Sequence, residues 1–119
     1  MNFDRPLEKL RKDSPEVRDA ALIGLDGVVI ARAGSGDGDA VEAAAAALAD
    51  VLRKAAAAHR VAELGEPEEM VLATPDGTVV VRPVGTEYAV LALVESGGLS
   101  GRARHAVRLA AAAFEPELA

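Results

Sequence analysis

The sequence predicts an α/β (α+β) fold, a three-layer sandwich in which helices cover both faces of a five-stranded antiparallel sheet. Three observations carry that prediction. Five short, charge-poor apolar runs read as strands, and the links between the last three are too short for parallel crossovers. None of the strands has a polar face, so both sides of the sheet need cover. Asp39 to Leu64 reads as one long alanine-packed amphipathic helix, and shorter helical runs lie near each end of the chain.

In order, Asp4 is placed to cap a first short helix with Pro6 in its opening turn, Leu7 and Leu10 on one side, and Ser14-Pro15 as its stop. Ala20 to Leu25 is apolar without alternation. Asp26-Gly27 then supplies a two-residue type I′ turn signal before Val28 to Ala31, which predicts a hairpin. The glycine-rich Gly34 to Gly38 is a connector, after which Asp39 and Glu42 have capping-box spacing. Gly65 stands where a left-handed C-terminal cap is expected, with Pro67 beyond it. Met70 to Thr74, Thr78 to Arg82 and Tyr88 to Val94 form a predicted meander, turning at Pro75-Asp76-Gly77 and Val84-Gly85-Thr86. A final helix runs from about Ser100 to Phe114, with Ala103, Ala106, Val107, Ala110 and Phe114 on its apolar side. No internal boundary or repeat interrupts this pattern, so residues 1–119 are expected to form one domain.

The long helix has two stripes to bury. Val41, Leu48 and Leu52, with Ala45 and Ala55, recur at core spacing and face the sheet. Ala40, Ala44, Ala47, Val51 and Ala58 form a second flank of small residues, where another helix can approach closely. Met70, Val71, Leu72, Ala73 and Thr74 are equally informative: an uncharged strand either lies inside the sheet or has its edge covered by another chain. Glu68, Glu69 and Pro75 bracket it as gatekeepers.

Composition narrows the function classes. Aromatics are 3% of residues against 50% hydrophobic, so Val, Leu and Ala must fill closely packed layers. Cysteine is absent, which removes disulfides, thiolate nucleophiles and Cys-ligated zinc and fits a reducing, cytoplasmic setting. The net charge of −6 argues against nucleic acid as partner. Neither a leader pattern nor an apolar run of about 20 residues is visible, so no membrane insertion is expected. Abundant Ala, Gly, Arg and Val with few Lys suggests G+C-rich bacterial coding.

Several signals look chemical and read better otherwise. The glycine run lacks a Walker lysine and follows a hairpin strand, so a connector explains it better than phosphate binding. Asp37, Asp39 and Glu42 lack EF-hand spacing, and a helix cap accounts for two of them better than calcium does. Gly98 to Arg102 is similar to a nucleophile elbow but has Arg at the last glycine position, and an N-cap serine at Ser100 is the simpler reading. His59 falls in line with the core stripe without a second metal ligand nearby. Arg104, His105 and Arg108 share one face of the final helix. They are either a solvated face or a basic contact for an acidic partner. No catalytic, cofactor-binding or metal-binding residue is assigned, and an enzyme is not expected.

The order of elements, the Leu25-Asp26-Gly27-Val28-Val29-Ile30-Ala31 hairpin, the Ala-rich central helix and the Pro75-Asp76-Gly77 turn resemble the roadblock family. Its members include dynein light chains of the roadblock type and bacterial MglB-type regulators. The resemblance covers nearly the whole chain and implies strand order 2-1-5-4-3 in a profilin-like architecture. The long helix would lie on one face of the sheet and the terminal helices on the other. It also implies a homodimer in which the third strands pair across a two-fold axis and the long helices lie side by side. The small-residue flank and Met70, Val71, Leu72 and Ala73 would then belong to one interface. Relatives of this kind bind small Ras-like GTPases, or serve as dimeric platforms in larger assemblies. MglB-type regulators stimulate GTP hydrolysis by repositioning the GTPase's own groups, without an arginine finger. The expectation is therefore a cytoplasmic, non-catalytic homodimer that binds and regulates a small GTPase, GTPase activation included, with Glu42, Asp50, Arg53 and Lys54 as candidate contacts. A dimeric scaffold for a complex without a GTPase is the alternative.

Overall fold

The computed structural model describes residues 2–36, 38–97 and 100–118 of the chain. Its elements are α1 (Asp4–Asp13), β1 (Val17–Gly24), β2 (Val29–Gly34), α2 (Asp39–Val61), β3 (Met70–Thr74), β4 (Gly77–Val84), β5 (Tyr88–Glu95) and α3 (Ser100–Leu118). The strands form one antiparallel sheet in the order β2-β1-β5-β4-β3, as the resemblance implies.

Strand alternation builds two cores. Leu22, Val80 and Val90 face α1 and α3, where they pack with Leu7, Leu10, Val107 and Phe114. One residue along each strand, Ile23, Val81 and Leu91 face the opposite way and meet Val41, Leu48 and Leu52 of α2. Both faces are therefore apolar, as the strands without a polar side require.

The two layers of cover are unequal. Five strands spaced about 4.8 Å apart make a sheet roughly 20 Å wide, while a helix with its side chains is about 10–12 Å across. Two helices cover the α1/α3 face from β2 to β4. A single helix cannot close the other. The ladder row Met70, Val81, Leu91 packs under α2, whereas the next row, Leu72, Val79 and Leu93, stays partly exposed.

Several local expectations are corrected. The β1–β2 turn is not type I′: only Gly27 has positive φ, Gly27 N–H donates to the Gly24 carbonyl, and Gly24 N–H donates to Val28. This is a three-residue loop with glycine in the left-handed position, braced by Val28 N–H donating to Asp26 Oδ1 at 3.1 Å. A Cβ on Gly27 would sit 3.1 Å from the Ala46 backbone, so the loop packs directly on α2.

Asp39 is the first residue of α2, not its cap. Gly38, at φ 91°, holds the N-cap position, so the predicted capping box does not form. Asp37, the third residue of the calcium alternative, lies outside the described residues, as does the side chain of Ser100 expected to cap α3. Similarly, Asp4 lies inside the first turn of α1, and its N–H donates to Asn2 Oδ1 at 3.0 Å.

α2 ends at Val61, three residues short of the predicted limit, and Gly65 is not its cap. Glu63 takes the left-handed conformation at φ 60°, with Glu63 N–H donating to Arg60 and Leu64 N–H to His59. These two bonds are the Schellman pattern with glutamate in the glycine place. At the other end of the chain, α3 runs past Phe114 through Pro116 to Leu118, which packs on the core beside Phe3.

Candidate interaction surface

β3 and the flank of α2 beside it form the surface singled out in the sequence. β3 is an edge strand. All five of its residues pair in register with β4 and no bulge interrupts them, leaving its other backbone side without a strand neighbour. Met70 and Leu72 point to the α2 face, Val71 and Ala73 to the α1/α3 face, and only Met70 is packed into a core. Leu72 is 45% exposed and Val71 38%.

On α2, Val41, Ala45, Leu48 and Leu52 are buried as predicted. Ala40, Ala47, Val51 and Ala58 are exposed and Ala44 is half-buried. These five residues thus form a largely open apolar flank of the helix, with Ala44 at the margin of the α2-side core. On the α2 side of the sheet, at the β3 edge, lies a shallow cleft floored by Leu72, Val79 and Leu93 and rimmed by Arg18, Thr74 and Ser96. Sequence reasoning missed Val79 and Leu93, because both sit in strands that read as fully buried. The missing signal was the width of the sheet against that of one helix.

The charged contacts proposed on α2 stand on its outer side. Glu42, Arg53 and Lys54 are exposed and Asp50 is half-exposed. Asp50 receives Lys54 Nζ at 3.0 Å and Arg53 NH2 at 3.4 Å. The Lys54 hydrogen bond holds its carboxyl below the ordinary carboxylate range. These three residues make one surface ion cluster, with Glu42 two turns before it. His59 is half-buried, and its Nδ1 lies 2.8 Å from the Ala55 carbonyl oxygen. Among the described residues, no group of three or more His, Asp or Glu side chains is placed to hold a metal ion. No described helix is long and apolar enough to cross a membrane.

Two bidentate ion pairs fasten α3 to the sheet, and neither was visible in the sequence because their partners are 86 and 35 residues apart. Arg102 grips Glu16 at 3.1 and 2.6 Å. With the Ser14 hydroxyl also donating at 2.7 Å, the Glu16 pKa falls from the ordinary 4.5 to about 2. Arg104 grips Glu69 at 2.7 and 2.8 Å, tying α3 to the residue just before β3, and that hydrogen bonding lowers the Glu69 pKa.

With this geometry in view, comparison with known proteins is specific at the level of the fold. A Roadblock/LC7 domain from Streptomyces avermitilis superposes with a TM-score of 0.86 at 19% identity, covering 97% of this chain and 96% of that one. Myxococcus xanthus MglB gives 0.88 at 14% identity, covering 98% and 94%. A structure described as MglB with tetrameric arrangement gives 0.87 at 17%, covering 96% and 85%. No curated protein matches the chain. Residues 4–95 match the Roadblock/LC7 domain family, taking in every element except α3. The chain belongs to the Roadblock/LC7 domain family.

Proposed function

We propose that residues 1–119 act as a single-domain, cytoplasmic, non-catalytic homodimer that binds and regulates a small Ras-like GTPase. The observation that carries the dimer is the continuity of three unpacked features: the regular β3 edge, the half-open row Leu72, Val79 and Leu93, and the small-residue flank of α2. A two-fold partner satisfies all of them together. Its β3 would extend the sheet, and its α2 would lie beside this one over the half that a single helix leaves open. The tetrameric arrangement of the MglB relative supports self-association as a property of the fold.

The GTPase part of the reading rests on the resemblance to MglB-type regulators. With both α2 flanks buried against each other, their outer sides would form a two-helix platform carrying Glu42, Asp50, Arg53 and Lys54 in duplicate. Such a platform acts by differential affinity. A surface that fits the hydrolysis-ready arrangement of a GTPase better than its relaxed one shifts the population towards it, and supplies no reacting group.

Light scattering tests the dimer, with twice the 12.2 kDa chain mass expected. The GTPase reading is tested by pulldown with a Ras-like GTPase from the same genome, loaded with GDP or a GTP analogue. Preference for one state, weakened by charge reversal at Asp50 and Arg53, is the expected result. Equal absence of binding in both states removes the GTPase from the proposal while leaving the dimer standing.

A further inference from the structure

On the α1/α3 face, away from the α2 platform, an Arg cluster stands beside β3. Arg104 and Arg108 are on α3 one turn apart, Arg82 lies on β4, and with Glu69 and His105 they line a cleft of about 160 Å³. Arg108 NH2 lies 2.9 Å from His105 Nδ1. Three guanidinium groups therefore face one carboxylate, on a protein whose net charge is −6. Arg104 is satisfied by Glu69, so Arg82 and Arg108 carry the excess. Glu115, the acidic residue on the same stripe of α3, is two turns beyond Arg108, about 10 Å along the axis.

The floor beside this cluster is apolar. Val71 is paired with Val80 of the α1/α3 core, so Val71 and Ala73 project on the same side of the sheet as α3, and both are exposed. α3 packs on β4 and β5, leaving β3 uncovered on this face. If β3 pairs with its two-fold copy, as the proposed dimer requires, two α3 helices flank a four-strand floor. Each α3 axis lies above the β4–β5 boundary, so the two axes are about four strand spacings apart, roughly 19 Å. Helices pack at about 8–10 Å, so two packing distances come to roughly 16–20 Å. One helix fits between the two α3 helices.

We infer that this trough is a docking site for an acidic amphipathic helix of a partner protein, its apolar ridge on Val71 and Ala73 and its carboxylates against Arg82 and Arg108. The charge of the walls selects the acid, and the apolar floor selects a protein segment over a lipid surface or nucleic acid, which would leave that floor wet. The inference rests on the β3-paired dimer for its width, and on the protomer alone for its charge.

The test uses a labelled 18-residue peptide with Leu at helical i, i+3, i+4, i+7 spacing and Glu elsewhere, titrated into the full-length protein by fluorescence anisotropy. Controls are a scrambled peptide of the same composition, the Leu pattern with Lys in place of Glu, phosphatidylglycerol vesicles and duplex DNA. At least tenfold tighter binding than either control peptide is expected, at one peptide per two chains. Arg108→Glu should cost at least tenfold, as should adding Arg82→Gln with Arg104 left in place to hold Glu69. Raising the salt to several times the physiological level should weaken binding. Equal affinity for ordered and scrambled peptides overturns the inference, and so does binding to vesicles or DNA in preference to the peptide. Light scattering on the same samples separates the two readings: a dimer that ignores the peptide sinks the trough alone. A monomer sinks the β3 pairing and with it the shared trough, even if one peptide binds per chain.

Discussion

The sheet has two edges that both expose apolar side chains, and one of them is built against pairing. Ile30 of β2 is 41% exposed and Val28 just before it 58%, against 38% for Val71 and 45% for Leu72 at β3. β2, however, carries a bulge. Leu22 pairs with Ala31 and Ile23 with Val29, so Ile30 is the extra residue and its side chain is turned out of the ladder. The same bulge lets Val29 pack towards α2 while Ala31 and Ala33 pack towards α1 and α3. β2 also carries Arg32, whose guanidinium donates to the Gly36 carbonyl at 2.9 Å, and α1 packs against this strand. β3 is uncharged and in register over its whole length. Regularity and absence of charge, more than hydrophobicity, make an edge a template for another strand.

Placing an aspartate on each edge is the most severe way to break that contrast. Val71→Asp would put a carboxylate on each copy of the paired β3 edge, where like charges close together across the strands and a charged edge both oppose pairing. The expected result by analytical ultracentrifugation is a folded monomer. Ile30→Asp on the bulged edge should change stability by less than about 1 kcal/mol and leave the mass alone. If Ile30→Asp dissociates the protein and Val71→Asp does not, the roles of the edges are reversed.

The second lever sits on α2. Ala47 is exposed in the middle of the small-residue flank, where the protomer has room for a larger side chain. Ala47→Leu should therefore leave the thermal midpoint of the protomer nearly unchanged, while weakening association by about 1–3 kcal/mol through overpacking between two close helices. Dilution series by fluorescence-detected sedimentation measure this. An unaltered dissociation constant would take the flank out of the interface and leave β3 to hold the dimer by itself.

Much of this architecture is legible in the sequence. Periodicity located every element, because Val, Leu and Ala alternate or recur cleanly and the turns carry Gly, Pro and Asp. The exposed flank of α2 was also readable, since helical spacing alone separates it from the buried stripe. What stayed hidden depends on distance in space. The bulge at Ile30 has no local marker, and Glu16–Arg102 and Glu69–Arg104 join residues that only the folded sheet brings together. The half-open row of Leu72, Val79 and Leu93 follows from counting strands against helices, not from any property of those residues. Cap assignments failed as well. Gly38 holds the N-cap position expected of Asp39, and Glu63 closes α2 in the left-handed conformation two residues before Gly65, which is itself at φ 80°.

Acid sharpens the comparison by acting on the fastening of α3. Glu69 anchors the start of β3 and Glu16 the start of β1, and both carboxyls titrate below their ordinary 4.5. A depressed folded-state pKa contributes stability that is fully present above the unfolded value and is lost as pH falls through the folded one. For Glu16 the window runs from 4.5 down to about 2. Glu16→Gln should lower the thermal midpoint at pH 7 and flatten its fall across that window, without altering the dimer constant. Glu69→Gln should instead speed amide exchange in β3 and weaken the dimer, by less than Ala47→Leu does because the pair is partly solvent-screened. Equal effects of the two substitutions on dimerisation would mean that the Arg104 clasp does nothing particular for the β3 edge.

The smallest change separates folding from association altogether. Glu63 closes α2 with φ 60°, a conformation that costs a side-chain-bearing residue about 1–2 kcal/mol and glycine very little. Glycine returns part of that gain through its freer unfolded chain. Glu63→Gly should therefore stabilise the protomer by about 0.5–1 kcal/mol in urea denaturation, since both Schellman hydrogen bonds are made by backbone groups and survive the change. Glu63 belongs neither to β3 nor to the small-residue flank, so the dimer dissociation constant should stay fixed while the denaturation midpoint rises. A matching rise in dimer affinity would show that the end of α2 belongs to the interface, extending it beyond Ala58 towards the exposed Val61 and Leu64.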